Sequence, residues 1–200
     1  VVAAKLRAMK NVKAVLLTHN ESFTGVAHPL REIAAVVREN SEALLHVDAV
    51  SATGAIDTQM DAWGVDTICT ASQKALMGSP GLSLIAVSER AFQASAQSKN
   101  PRFYFDWAPY RESFKSNSTP TTAALTILYG LAAAADLMLA EGIANVYARH
   151  ERVAAFTRDR VRGLGLELFA YQGFSPTLTA VRMPEGVSSD DVRARAREHG

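Results

Sequence analysis

Residues 67–74 read Thr67-Ile68-Cys69-Thr70-Ala71-Ser72-Gln73-Lys74, a short apolar strand that runs into a polar triplet and then into the turn Gly78-Ser79-Pro80-Gly81. A second run, Leu44-Leu45-His46-Val47, ends in the same manner on Asp48. Upstream, Asn11 to Thr18 (NVKAVLLT) is β-branched and apolar and closes on His19-Asn20-Glu21-Ser22; downstream, Leu82 to Val87 forms a fourth run. Runs this short and this apolar, bounded by polar clusters, are buried strands. The connection after the first strand carries Leu30, Ile33, Ala34 and Val37 at i, i+3, i+4 and i+7, with Pro29 near the first turn of the amphipathic helix they define. Strands separated by helical or long connections predict a mostly parallel sheet covered on both faces, so the fold class is α/β.

The second half changes character. Ser95 to Ser118 is polar and rich in aromatics (Phe103, Tyr104, Phe105, Trp107, Tyr110) without a clear period, and reads as the crossing from a large domain into a smaller one. The expected division is a large-domain part over 1–118, a connecting helix over 119–140 and an incomplete small domain over 141–200. An Ala/Leu-rich helix is expected from about Thr122 to Leu139, and a second over Ile143 to Gly163, ended by Gly163 and Gly165. Leu166 to Ala170 and Thr177 to Arg182 read as strands, and Ser188-Ser189-Asp190-Asp191 as a helix start with acids at the positive end of the dipole. The chain opens on Val1 in a helix-like run and stops at Glu198-His199-Gly200 with no strand to follow, the pattern expected of a partial chain.

Composition narrows the class. The 200 residues are 48% hydrophobic and 20% charged, enough apolar material for a sizeable core, and the formal net charge of +1 offers no field for nucleic acid or an acidic membrane. Apolar stretches such as Leu131 to Ala135 are too short to span a bilayer. Cys69 is the single cysteine, so neither a disulfide framework nor a cysteine metal cluster is expected, and a reducing cytoplasm is the default compartment.

In open α/β sheets ligands bind outside the carboxyl ends of the strands. Here those ends are polar as a set: Thr18-His19-Asn20-Glu21-Ser22, Asp48, and Ser72-Gln73-Lys74. A lysine amine able to condense with an aldehyde and then move a proton, together with a carboxylate able to keep a pyridine nitrogen protonated, suits pyridoxal phosphate. Position alone leaves other roles open: Asp48 as a turn or capping residue, Lys74 as a solvated surface lysine, and Glu21 as a turn-stabilising carboxylate. His19 and His46 read as hydrogen-bonded structural histidines, since no second ligand stands at a metal-site spacing.

Whole segments say more. LLTHNESFTGVAHPL (16–30), HVDAVSATGAIDTQMDAWGVD (46–66), SQKALMGSPGLSLIAVS (72–88), LYGL (128–131) and GIANVYARHERVAAFTRDRVRGLGLELF (142–169) follow one another in an order and spacing that resembles the class V aminotransferases, most of all the alanine–glyoxylate and serine–glyoxylate branch. The resemblance implies a pyridoxal-phosphate fold type I large domain followed by the start of a small α/β domain. It implies Lys74 as the Schiff-base lysine, Asp48 as partner of the pyridine nitrogen and Gln73 on the cofactor phosphate. Val50 would pack on one face of the ring, Ser22 would sit beside its hydroxyl, and Glu21 would support that loop.

SNSTPTTAALTILYGL (116–131) resembles the family segment that reaches into the neighbouring subunit's site, which implies a homodimer with Thr122 and Thr119 on the partner's cofactor phosphate; a helix N-cap is the competing role for these threonines. The activity implied is transfer of an amino group from alanine or serine to glyoxylate or pyruvate. The alternatives are a cysteine desulfurase or related lyase of the same fold, and a fragment inactive by itself. Desulfurases usually carry histidine where Gln73 stands, and Cys69 lies in a strand, badly placed as a nucleophile.

Overall fold

The computed structural model describes residues 1–199. Four strands form the sheet: β1 (Ala14–Thr18), β4 (Leu44–Asp48), β5 (Thr67–Ala71) and β6 (Ser83–Val87), in that spatial order. The β1–β4 and β4–β5 pairs are parallel, while β6 returns antiparallel beside β5. Parallel pairing puts the ends of β1, β4 and β5 on one edge: Thr18 stands opposite Asp48, and Asp48 opposite Cys69. Between β1 and β4 the chain makes a small antiparallel ribbon, β2 (Asn20–Glu21) with β3 (Val26–Ala27), where the sequence showed only a polar cluster.

The core lies between one sheet face and the helices α1 (Val2–Ala8) and α2 (Leu30–Asn40). Alternation along β4 sends Leu45 and Val47 inward, where they meet Leu30, Ala34 and Val37 of α2. Each of these larger side chains is essentially fully buried, worth about 1.5–3 kcal/mol apiece. Pro29 precedes α2, Glu32 lies in its first turn and Arg38 in its last, so the helix carries its charges in the order the macrodipole favours. On the opposite face Leu16 and Ile85 are exposed, and a depression of about 280 Å³ is lined by Leu16, Thr18, His46, Asp48, Thr67 and Cys69 among others.

Asp66, buried just before β5, ties this unit together. Its carboxylate accepts from Arg38 of α2, from Arg90 at 2.6 and 2.9 Å, from Leu45 N at 2.7 Å and from Ser88 Oγ at 3.1 Å. Ser88 in turn caps α4 (Glu89–Gln97) by accepting from Ala91 N. After the short α3 (Met60–Trp63), one acid thus joins two helices to two strands.

The stretch expected to be an irregular crossing contains structure. Besides the end of α4, it holds α5 (Trp107–Phe114), capped by Asp106 accepting from Ala108 N at 3.2 Å. Its apolar residues follow no helical stripe and none is buried, so periodicity gave no signal, whereas the cap was readable. The helices α6 (Leu125–Glu141) and α7 (Ile143–Gly163) lie where expected. Beyond α7, Gly165 takes a φ of 74° while Leu166 N bonds Val161 O and Gly165 N bonds Arg162 O, the two-bond Schellman stop.

The two strands expected at 166–170 and 177–182 reduce to one antiparallel bridge, Leu168 to Val181, flanked by the bonds Phe169 N to Ala180 O and Arg182 N to Glu167 O. Among the described residues the two segments pair only with each other, without the further strands that make a ladder persist. The last helix, α8 (Ser189–Glu198), is capped by Ser188 with Asp190 and Asp191 in its first turn. No single helix among the described residues is long and apolar enough to cross a membrane.

Candidate functional site

Asp48 closes β4 with an exposed carboxylate. One oxygen accepts from Val50 N at 3.0 Å, an Asx turn that fixes the loop 48–51, and the other has no partner among the described residues. The loop is also pinned by Ala49 N to Cys69 O at 2.9 Å, and Asp48 O accepts from His19 N at 2.8 Å. The carboxylate is thus oriented by its own backbone at a strand end, with no cation paired to it among the described residues.

Lys74 and Gln73 are exposed on the reversal between β5 and β6. The reversal is built around Ser72, which is fully buried: its hydroxyl donates to Ser79 O at 2.6 Å, accepts from Leu82 N at 3.3 Å, and its carbonyl accepts from Gly78 N at 2.8 Å. Met77, at a φ of 59°, lets the turn tighten through a bond from its N–H to Lys74 O. Lys74 makes no ion pair among the described residues.

The Asp48 loop and the lysine turn meet at Gly54. It stands at a φ of 94°, and a Cβ there would come 3.2 Å from Ala75 C and 3.1 Å from Leu76 Cδ2. Glycine permits both the angle and the approach. Ser22 lies on the loop between β2 and β3 and faces Ser51, hydroxyl to hydroxyl, at 2.9 Å. Glu21 turns its carboxylate back onto Phe23 N at 2.9 Å, inside its own loop.

Ser22, Asp48 and Val50 are therefore brought together through the 48–51 loop, and Gln73 and Lys74 adjoin it through the contact of Gly54 with Ala75 and Leu76. Thr119 and Thr122 stand apart. Both are exposed ahead of α6, Thr119 Oγ1 donates to Thr121 O at 2.7 Å, and the N-cap position of α6 is Ala124 with no side-chain cap. A capping role for either threonine is thus overturned.

His46, His19 and Cys69 are held by hydrogen bonds or burial. His46 Nδ1 pairs with Thr67 Oγ1 at 2.6 Å. His19 is buried, and burial, with His28 nearby, pushes its pKa down to about 4, so the ring is neutral at pH 7. Burial and the adjacent Asp48 carboxylate push the Cys69 thiol up, and its Sγ lies 3.6 Å from Val47 O. That disfavours the thiolate a sulfur nucleophile requires.

Three further residues link these loops, Asn20, which the sequence showed only within the polar end of the first strand, with Ser51 and Thr177, which it did not single out. Asn20 Nδ2 donates both to Ser51 O at 2.9 Å and to Thr177 Oγ1 at 2.8 Å. Ser51 sat within a quoted motif, but a contact between Asn20 and Thr177 over a separation of 157 residues has no local signature.

As a donor and acceptor set, an uncompensated carboxylate, a free amine and a paired hydroxyl on adjoining rigid loops fit a ligand that carries a protonated ring nitrogen, an aldehyde and a ring hydroxyl.

Comparison with known proteins shows the family. The family model Aminotransferase class-V matches residues 3–199. The "Soluble hydrogenase 42 kDa subunit" of Anabaena cylindrica is 38% identical over 195 residues, covering 96% of this chain and 51% of that protein. Serine–glyoxylate aminotransferase of Arabidopsis thaliana is 38% identical over 202 residues, covering 98% of this chain and 50% of that protein. Among solved structures, pyridoxamine-pyruvate aminotransferase from Mesorhizobium loti superposes with a TM-score of 0.92 at 33% identity, over 98% of this chain and 51% of that one. The chain spans about half the length of these relatives. With the family matched almost from end to end and the fold shared with an aminotransferase of solved structure, the chain belongs to the class-V aminotransferase family.

Proposed function

We propose that the protein to which this chain belongs is a pyridoxal 5′-phosphate-dependent transaminase, moving an amino group from a small amino acid such as alanine or serine to glyoxylate or pyruvate. The observation that carries the reading is the pairing of an uncompensated Asp48 carboxylate with the free Lys74 amine on loops that touch at Gly54. The names of the relatives, a serine–glyoxylate and a pyridoxamine–pyruvate enzyme, support the substrate class.

When bound, pyridoxal 5′-phosphate supplies an electron sink for charge developing on the substrate carbon. Each residue then has a physical task. Lys74 would hold the cofactor through its amine and, once released, would act as the general base for the proton on the substrate carbon. Asp48 accepts from the ring nitrogen and keeps it protonated, with its orientation fixed by Val50 N. Val50 covers one ring face, Ser22 lies at the ring hydroxyl, Gln73 binds the phosphate, and Glu21 stiffens the Ser22 loop through Phe23 N.

The domain reading follows the same line: 1–118 as the C-terminal part of a large cofactor domain, 119–140 as a connecting helix, and 141–200 as the start of a small domain. A cytoplasmic homodimer is the form this takes, with Thr122 and Thr119 reaching the partner's phosphate; their exposure ahead of α6 supports it. The raised thiol of Cys69 disfavours that cysteine as the nucleophile of a desulfurase. The test is the full-length protein with Lys74→Ala. The visible absorbance of bound cofactor and transfer from serine or alanine to glyoxylate should both vanish; a variant that keeps its spectrum would sink the proposal.

A further inference from the structure

The loop carrying Asp48 and Val50 is held in place by the far end of the chain. Ser51 O has two lone pairs, and both are used: Asn20 Nδ2 donates to one at 2.9 Å, and Thr177 Oγ1 to the other at 3.3 Å. The second hydrogen of Asn20 Nδ2 goes to Thr177 Oγ1 at 2.8 Å, which also faces Ser175 Oγ at 3.1 Å. The three groups form a closed triangle. Its sense is forced, because Ser51 O can only accept, which fixes Asn20 with Nδ2 toward it and makes the Thr177 hydroxyl a donor there.

Burial makes the triangle matter. Asn20 is 3% exposed and Ser175 is 0% exposed. Asn20 Oδ1 is buried with no partner among the described residues, so the side chain forgoes a bond at one end while it holds Ser51 and Thr177 at the other. The same C-terminal segment grips the ribbon on which Ser22 rides. Ala27 N donates to Gly173 O at 2.7 Å, Ser175 N to Gly25 O at 2.9 Å, and Val26 bridges Phe174. A Cβ on Gly25 would come 3.1 Å from Ala180 N, which shows how closely the two backbones approach.

We propose that Thr177 and Asn20 are positioning residues for the cofactor loop: their hydroxyl and amide hold the Ser51 carbonyl, and through it the loop that orients Asp48 and Val50. The proposal rests on the assignment of Asp48 to the cofactor's ring nitrogen. It adds that residues 173–177, distant in sequence from every motif of the site, set the geometry of that contact.

The test is full-length protein loaded with pyridoxal 5′-phosphate. Thr177→Val keeps the shape and removes the donor and acceptor; it should weaken cofactor retention by about tenfold and shift the pH midpoint at which the visible band changes. Thr177→Ser restores the hydroxyl and should return both to within about threefold of the wild type. Thr179→Val, on the same segment, should change neither. If wild-type protein shows no visible band, the cofactor assignment itself has failed. If the band is present and Thr177→Val matches the wild type in affinity and midpoint, the positioning role is overturned. Should Thr177→Val be recovered unfolded, the serine variant decides alone: a folded Thr177→Ser that loses about tenfold in affinity overturns the proposal.

Discussion

Ser72 and Ser79 are joined across the lysine turn by a 2.6 Å hydrogen bond from a fully buried hydroxyl to a backbone carbonyl. Because the same oxygen accepts from Leu82 N, one small side chain closes the turn from both strands. Ser72→Ala in the full-length protein should therefore lose about 1–3 kcal/mol of stability, the cost of leaving buried backbone groups without a partner. Urea unfolding checks it, and cofactor retention should fall in parallel. An unchanged midpoint would mean that the turn is held elsewhere.

At Gly54 the expected effect is steric. Gly54→Ala brings a methyl group within 3.1–3.3 Å of Leu76 and the Ala75 backbone at a φ of 94° that L-residues rarely adopt. The penalty should be about 1–3 kcal/mol. Since the displaced atoms follow Lys74 directly, lysine reactivity toward the cofactor aldehyde should slow as well; borohydride trapping rates on wild type and variant measure this.

Asp66 sets an acid limit on the fold. Burial pushes its carboxyl up, but the hydrogen bonds from Arg90, Leu45 N and Arg38 outweigh this and hold it below the ordinary value. A depressed folded-state pKa contributes stability that is present above the unfolded pKa of about 3.9 and is lost as pH falls through the folded value. Asp66→Asn should cost about 3 kcal/mol at pH 7, because it leaves two arginines facing a neutral group. The difference between wild type and variant should shrink below about pH 4; chemical denaturation at pH 7 and pH 3 tests the trend.

His19 acts in a different window. Its folded pKa of about 4 lies below the unfolded value near 6.5, so the neutral ring stabilises the fold fully above pH 6.5 and that stability is lost as pH falls through about 4. The loss approaches about 3 kcal/mol at the acid end of the window. His19→Gln should flatten stability between pH 6.5 and 4, and a variant that follows the wild-type slope would assign the titration to another group.

Much of the architecture was legible because it is written in short-range signals. The strand at Leu44–Asp48 and the helix at Leu30–Asn40 announce themselves through alternation and i, i+4, i+7 spacing, and Gly165 marks the end of α7 by its left-handed angle. Asp48 and Lys74 were legible as strand-end residues within recognisable segments. The segment from Trp107 to Phe114 was not, since its helix buries nothing and so carries no stripe. Nor were the small-domain strands, where short apolar-rich runs overstated a single bridge at Leu168 and Val181. Thr177 escaped for another reason: its role exists only once residues at opposite ends of the chain have met.

The antiparallel return of β6 beside β5 has a bearing on how this region can change. Along most open sheets a ligand-bearing loop leads from a strand to a helix on another layer, and such loops absorb insertions readily. Here the segment from Ser72 to Leu82 starts and ends on neighbouring strands whose register runs from Thr67–Val87 to Ala71–Ser83. A residue added within either strand must be taken up by a bulge or by a slip of the whole ladder, and a slip would exchange the two faces of the strand. The strands that flank the Lys74 turn are therefore fixed in length on both sides, while the buried Ser72 fixes how the turn itself closes.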